Sequence, residues 1–235
     1  AYEIRNCDWS SDVCSSDLPI AAADFPFKGE TLNSLEVGMK AELTDTVRLN
    51  ASAFYYDYRD YQAYSFDGFA TFLFNANAKT HGAELELIAN PVEGLDIMLG
   101  VAWLDAKAED VPASISATGT ETPALSPKYS FNGLARYEWP AFGGKLNLQL
   151  DYGWQDDQNF NLIYTPVVEE KAYGVANLRF GYSSADDTWS AAVWVRNLAD
   201  EEYRTYGFDT TAYFGATEDV PGPARWFGGG VTYRW

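Results

Sequence analysis

Histidine is almost missing from this chain. His81 is the only one among 235 residues, and the two cysteines, Cys7 and Cys14, both lie near the start. So sparse a set offers little to a metal centre, which draws on clustered His and Cys. Catalytic patterns are missing as well: there is no His-Glu-x-x-His, Gly-x-Ser-x-Gly, Cys-x-x-Cys or phosphate-cradling loop. No enzymatic activity and no cofactor are therefore expected, and His81 reads as a structural residue. Basic residues are few, 16 Lys and Arg against 34 Asp and Glu, for a formal net charge of −18. Phosphate backbones need cationic neutralisation, so no nucleic-acid partner is expected. No stretch approaches the roughly 18 consecutive apolar residues of a transmembrane helix. That absence leaves a transmembrane β-barrel open, because a barrel distributes its apolar residues in alternation.

What is present is a folding composition, 47% hydrophobic, with 16 Tyr, 14 Phe and 8 Trp. The first twenty residues, "AYEIRNCDWSSDVCSSDLPI", stand apart. They lack a charged start leading into an apolar run, so they are not a signal peptide. The stretch "RNCDWSSDVCSSDL" looks like translated sequencing-adapter sequence. Residues 1–20 are expected to be a non-native or disordered segment, and residues 21–235 the folded unit. A metal or disulfide loop through Cys7 and Cys14 is the weaker alternative.

From Glu30 onward apolar residues recur at every second position. In "LNLQLDYGW" (146–154) Leu146, Leu148, Leu150, Tyr152 and Trp154 fall on one side; Asn147, Gln149, Asp151 and Gly153 fall on the other. A helix of period 3.6 cannot segregate that set, whereas a strand of period two does. About nine such runs occur, near 31–43, 46–61, 71–90, 94–106, 127–139, 144–157, 172–183, 188–203 and 224–235. They are longer than the usual globular strand and match the 9–11 residues, roughly, that a tilted strand needs to cross a bilayer. Connections alternate between short turns at 44–46, 90–95, 140–145 and 183–188 and longer segments at about 62–70, 107–126, 158–171 and 204–223. This rhythm describes an up-and-down antiparallel meander with its long loops at one end.

One face carries Trp103, Trp139, Trp154 and Trp189 at or near the run ends, where a membrane–water boundary favours indole rings. The opposite face carries Glu36, Lys40, Glu42, Arg48, Asn50, Glu84, Glu86, Asn132, Arg136, Asn147, Gln149, Asp151, Arg179 and Arg196, too wet for a second core. An all-β membrane barrel wall is the expected fold. A soluble carbohydrate-binding β-sandwich is the alternative, since one apolar and one solvated face also describes an ordinary antiparallel sheet. The last run ends "VTYRW", with Val231, Tyr233 and Trp235 on the apolar face; the glycines at 228–230 suit local curvature. In water such an ending would invite aggregation, while in lipid its aromatics join a boundary girdle.

Several stretches together resemble TonB-dependent outer-membrane receptors: "NANAKTHGAELEL" (75–87), with His81 where an aromatic is usual, "SPKYSFNGLARY" (126–137), "VRNLADEEYRTYGFD" (195–209) and the final run. The resemblance implies a barrel of about 22 strands around a plugged lumen, of which this chain holds the C-terminal part. It implies that plug, TonB-contact segment and early strands lie outside these residues, so the sheet is expected curved and open. It further implies an outer-membrane location in a Gram-negative bacterium with a periplasmic C-terminus. The partners implied are outer-membrane lipid, the TonB complex reached through the missing N-terminal part, and the barrel-assembly machinery, for which Val231, Tyr233 and Trp235 form the assembly signal. The ligand implied is a ferric siderophore-like compound, cobalamin or an oligosaccharide, imported with TonB-supplied energy; a passive porin-like channel is the alternative within the same membrane class.

Aromatic loop residues suit ligand contact, giving flat area with a polar tip. The candidates are Tyr64, Phe66, Phe160, Tyr164, Tyr206, Phe208 and Tyr213; the competing role is packing of loop against loop. Arg204 and Lys171 are the basic groups placed to meet an anionic ligand, although the loops are acidic overall.

Overall fold

A computed structural model of the chain describes residues 28–66, 71–113, 115–162 and 165–235, without the side chains of residues 64–66, 71, 72, 212 and 213. The expected segment 1–20 lies outside the described residues. The strands are β1 (Thr31–Thr44), β2 (Val47–Phe66), β3 (Thr71–Ala89), β4 (Leu95–Glu109), β5 (Thr120–Glu121), β6 (Tyr129–Ala141) and β7 (Gly144–Gln155). They continue with β8 (Gln158–Asn159), β9 (Glu169–Glu170), β10 (Tyr173–Ser184), β11 (Trp189–Arg196), β12 (Arg204–Asp209), β13 (Thr217–Pro221) and β14 (Trp226–Tyr233). Nine of them form one antiparallel sheet in the order β1-β2-β3-β4-β6-β7-β10-β11-β14, with β5 paired to β4. The sheet is open: among the described residues β1 and β14 are its edges.

Register sorts the residues into the two faces that alternation anticipates. One transverse row runs Met39, Ala51, Leu85, Val101, Phe131, Trp154, each directly opposite the next. One residue along, the row runs Lys40, Asn50, Glu86, Gly100, Asn132. The apolar rows are not covered by a second layer: Leu35 is 73% exposed, Val37 70%, Val193 59% and Val231 77%. This excludes the sandwich alternative, in which those side chains would form a core between two sheets. The polar face is concave, with a depression of about 910 Å³ lined by Gly38, Lys40, Ser52, Glu84, Glu86 and Asn132 among others. Its charged groups hydrogen-bond across strands, as in Asn50 Nδ2 to Glu86 (2.6 Å), Asn177 Nδ2 to Asp151 (2.6 Å) and Arg179 to Asn147 (2.8 Å).

Aromatics gather in two bands on the apolar face. Near the long-loop end, Tyr55 stands opposite His81, and Trp103 opposite Tyr129. His81 meets the Trp103 ring edge-on at 5.4 Å, so it takes an aromatic's place in this band. Near the short turns, Tyr137 stacks on Trp139 at 5.4 Å, and Tyr182 lies 5.0 Å from Trp189. Tyr129 and Trp139 lie ten residues apart on β6. At about 3.3 Å per residue and a tilt of about 40° that separation spans roughly 25 Å, the height of a barrel's apolar band.

Three expectations change in detail, and one glycine gains a second reason. The segment 62–70 is not a loop for most of its length, since β2 runs to Phe66 and β3 starts at Thr71. The run 188–203 stops as a strand at Arg196. The segment 204–223 holds a hairpin of its own, β12–β13, with a short helical turn α1 (Thr211–Phe214) at its tip. Gly228 of β14 also answers to close packing: a Cβ there would lie 2.5 Å from the Trp194 indole, which covers β14 on the concave side.

Candidate functional site

The short turns lie at one end of the sheet, and β5, β8, β9, β12 and β13 lie at the other. At that far end β2 carries a bulge. Pairing with β3 shifts between Tyr58 and Tyr61, and Asp60 has φ 53°, a left-handed value that Asp tolerates. Two side chains of the "NANA" stretch hold the irregular residue: Asn77 Oδ1 accepts from the Asp60 N–H (3.1 Å), and Asn75 Nδ2 donates to the Asp60 carbonyl (2.6 Å). Beyond the bulge the β2–β3 ladder continues to the Phe66–Thr71 pair. Tyr64 and Phe66 therefore belong to β2, and their side chains lie outside the described residues.

The segments 158–171 and 204–221 pack on one another and form a small core away from the main sheet. Phe160 is 4% exposed and Val168 1%. Gly207 admits them: a Cβ there would stand 2.8 Å from the Phe160 ring and 3.3 Å from Val168. The Tyr206 ring lies 5.9 Å from Phe160 and 6.4 Å from Phe208, and Tyr173 stacks on Tyr203 at 4.5 Å. A third long segment joins through the Leu125 N–H, which donates to the Asn159 carbonyl (2.9 Å).

Arg204 is the polar centre of this unit. Its Nε donates to the buried Glu170 carboxylate (2.7 Å) and its Nη1 to Asp219 (3.1 Å) and the Val167 carbonyl (3.2 Å); its Nη2 donates to the Glu169 carbonyl. Burial opposes the charge, yet the hydrogen bonds to Glu170 and Asp219 outweigh it, and the guanidinium pKa lies above its ordinary value. With its fork occupied, Arg204 is not presented to an anionic ligand. Lys171 is paired with Glu169. At the base, Asn197 is 2% exposed and clasps both ends of the projecting arm. Its Nδ2 donates to the carbonyls of Glu201 (2.8 Å) and Pro223 (3.0 Å), and its Oδ1 accepts from the Glu201 N–H (2.8 Å).

Of the aromatic candidates, the structure brings Phe160, Tyr206 and Phe208 together. Phe160 is buried inside the unit, whereas Tyr206 is 41% exposed and keeps a face toward solvent. Tyr164, and the side chain of Tyr213, lie outside the described residues. The residues that composition alone misses are Asn197, which grips main-chain groups, Glu170, which pairs with Arg204, and Val168, which fills a small core; none of these roles is marked by alternation or by a catalytic motif.

Residues 12–198 match the family described as TonB dependent receptor-like, beta-barrel. The chain belongs to the TonB-dependent receptor family. This is a family of outer-membrane proteins, and its fold recurs in solved structures. The ferric yersiniabactin uptake receptor FyuA from Yersinia pestis is 21% identical with a TM-score of 0.71, over 86% of this chain and 29% of that one. The copper transporter OprC is 19% identical with a TM-score of 0.68, over 90% and 32%. The ferripyoverdine receptor of the outer membrane of Pseudomonas aeruginosa is 17% identical with a TM-score of 0.67, over 90% and 28%. The chain thus spans less than a third of the length of each of these TonB-dependent proteins.

Proposed function

We propose that this chain is the C-terminal wall of an outer-membrane active-transport receptor that captures a scarce ligand at its long-loop end and imports it with energy supplied through TonB. The observation that carries the reading is the two-faced meander, with uncovered apolar rows on one side of nine paired strands and a concave polar wall on the other. Outer-membrane lipid is the partner of the first face and an aqueous, plug-filled lumen lies against the second. In this reading the C-terminus is periplasmic, the end bearing Val231, Tyr233 and Trp235 engages the barrel-assembly machinery, and the TonB contact belongs to sequence preceding this sheet. Ferric siderophore-like compounds, cobalamin and oligosaccharides are the ligand classes; solved relatives include receptors for ferric yersiniabactin and ferripyoverdine. Tyr206 is the described candidate with a free ring face at the capturing end. The acidic loops and the engagement of Arg204 and Lys171 argue that basic contacts to an anionic ligand come from elsewhere in the receptor.

Deletion of the gene tests this. Growth limited by one of those ligand classes should fail in the deletion strain and return with the full-length gene, but only where TonB is intact. Uptake that persists without TonB would overturn active transport in favour of the passive porin-like channel.

A further inference from the structure

The turn between β6 and β7 differs from the other short turns. From it we propose that Phe142 carries this turn into the acyl-chain layer of the membrane, so that hydrocarbon reaches past the strand ends here and not at the turns that bear carboxylates. The inference rests on the reading of the sheet as an outer-membrane wall and adds where the lipid boundary lies on it. Four observations carry it. The first is charge. The turns at 44–46, 90–95 and 183–188 hold Asp45, Glu93, Asp186 and Asp187, whereas "PAFGGK" (140–145) holds no carboxylate. Its single charge, Lys145, stands on the polar face and pairs with Glu138 (3.0 Å). The second is backbone. Ala141 pairs with Gly144, and the two residues between them, Phe142 and Gly143, have φ 52° and 72°. Such a turn is ordinarily filled by Asn, Asp or Gly, because a Cβ is disfavoured there. Asp187 obeys that preference in the β10–β11 turn, with φ 53°. Phe142 breaks it, and the residue is 86% exposed as well. In water both features are unfavourable, while a ring immersed in hydrocarbon recovers a large apolar area. Phenylalanine has no polar tip, so it suits the acyl chains rather than the headgroup boundary that favours Tyr and Trp. The third is the main chain. The Tyr182 hydroxyl donates to the Phe142 carbonyl (3.1 Å), and Gly144 makes room for it, since a Cβ there would lie 2.6 Å from that hydroxyl. A turn carbonyl needs such a donor in lipid, where no water replaces it. The fourth is continuity with the lipid-facing surface. Tyr182 lies 5.0 Å from Trp189, and Trp139, on the strand leading into the turn, lies 6.5 Å from Phe180. Phe142 extends this aromatic band beyond the last rung of the β6–β7 ladder.

Spin labelling of the full-length protein in phosphatidylcholine vesicles tests the inference. On a cysteine-free background, nitroxides go on Phe142→Cys, on Asp45→Cys and Glu93→Cys in two other short turns, and on Leu148→Cys in the wall. Collision with oxygen, which concentrates in hydrocarbon, is compared with collision with a water-soluble nickel chelate. The preference for oxygen at 142 should exceed that at 45 and 93 several-fold and approach that at 148. A label at 142 that matches those at 45 and 93, with 148 still oxygen-rich, overturns the immersed turn and leaves the wall reading standing. A label at 142 shielded from both agents overturns it in favour of a protein contact. Loss of the oxygen preference at 148 would sink the membrane wall and this inference together. Phe142→Asn supplies a second measurement, of opposite sign in the two cases. Asn suits the left-handed backbone, so in a water-exposed turn it should raise the denaturant midpoint. An immersed turn loses its ring and gains an unpaired amide, so the midpoint in vesicles should fall. An unchanged or higher midpoint overturns the inference.

Discussion

Asp186 sits in the turn between β10 and β11, fully at the surface, and still collects three donors. Its carboxylate accepts from the Ser184 hydroxyl (2.6 Å) and the Thr188 N–H (3.1 Å), and the Thr188 side chain adds a third hydrogen bond. Donors that bind the ionised form favour it, and the pKa falls from 3.8 to about 2, with Ser184 the largest cause. A carboxyl with a depressed folded pKa contributes stability above its unfolded value, and that contribution disappears as pH falls from about 3.8 through about 2. A carbon-detected NMR titration should therefore find Asp186 still ionised at pH 3, and Ser184→Ala should move its midpoint back toward the ordinary carboxylate range. Asn197 is the buried counterpart. It donates twice, accepts once and holds φ 52°. Ala would leave two carbonyls and an N–H without this partner and would resist the left-handed backbone. Asn197→Ala should cost about 2–4 kcal/mol, read from denaturant unfolding in detergent, with the arm 198–223 loosening before the wall.

At the scale of the strand, neighbouring residues have opposite surroundings. Leu148 stands on an apolar row opposite Phe180 and Tyr137, and Gln149 on the polar row opposite Arg179 and Arg136. Leu148→Arg should cost about 2–4 kcal/mol near the bilayer midplane, while Gln149→Arg should be close to neutral in stability. Comparable losses at both positions in reversible unfolding would mean that both faces are cores. This period-two contrast is why nine strands were legible from residue order alone. The short strands were not. The bulge at Asp60 adds one residue to β2, so alternation changes phase between Tyr58 and Tyr61 and the rest of the strand reads as loop. In β12 and β13 no lipid imposes an apolar row, and the hairpin is held by Arg204, Gly207 and the Asn197 clasp. The polar grips of Asn75 and Asn77 on Asp60 were visible only as part of a family-like stretch, and their physical task emerges from the fold.

The whole molecule presents two contrasting faces. Its outer rows leave Leu35, Val37, Val193, Phe227 and Val231 uncovered, a continuous apolar surface far beyond what a soluble protein leaves in water. Its inner face keeps Lys40, Glu84 and Glu86 in an open concavity. The edges add a second demand. Among the described residues β1 and β14 have unpaired sides, and a free edge of this length is a template for association. Both demands are met if hydrocarbon covers the apolar rows and further strands of a larger barrel pair with the edges. The full-length protein should accordingly fractionate with the outer membrane, come out only with detergent, and precipitate or self-associate when detergent is withdrawn. A segment confined to residues 28–235 should do worse, aggregating even in detergent that keeps the full-length protein monodisperse, because detergent covers the apolar rows but leaves the edge N–H and C=O groups unpaired. Light scattering during size-exclusion chromatography reads both outcomes. A monodisperse full-length monomer in plain buffer would refute the lipid-facing assignment, and a monodisperse 28–235 segment in detergent would refute the role given to the edges.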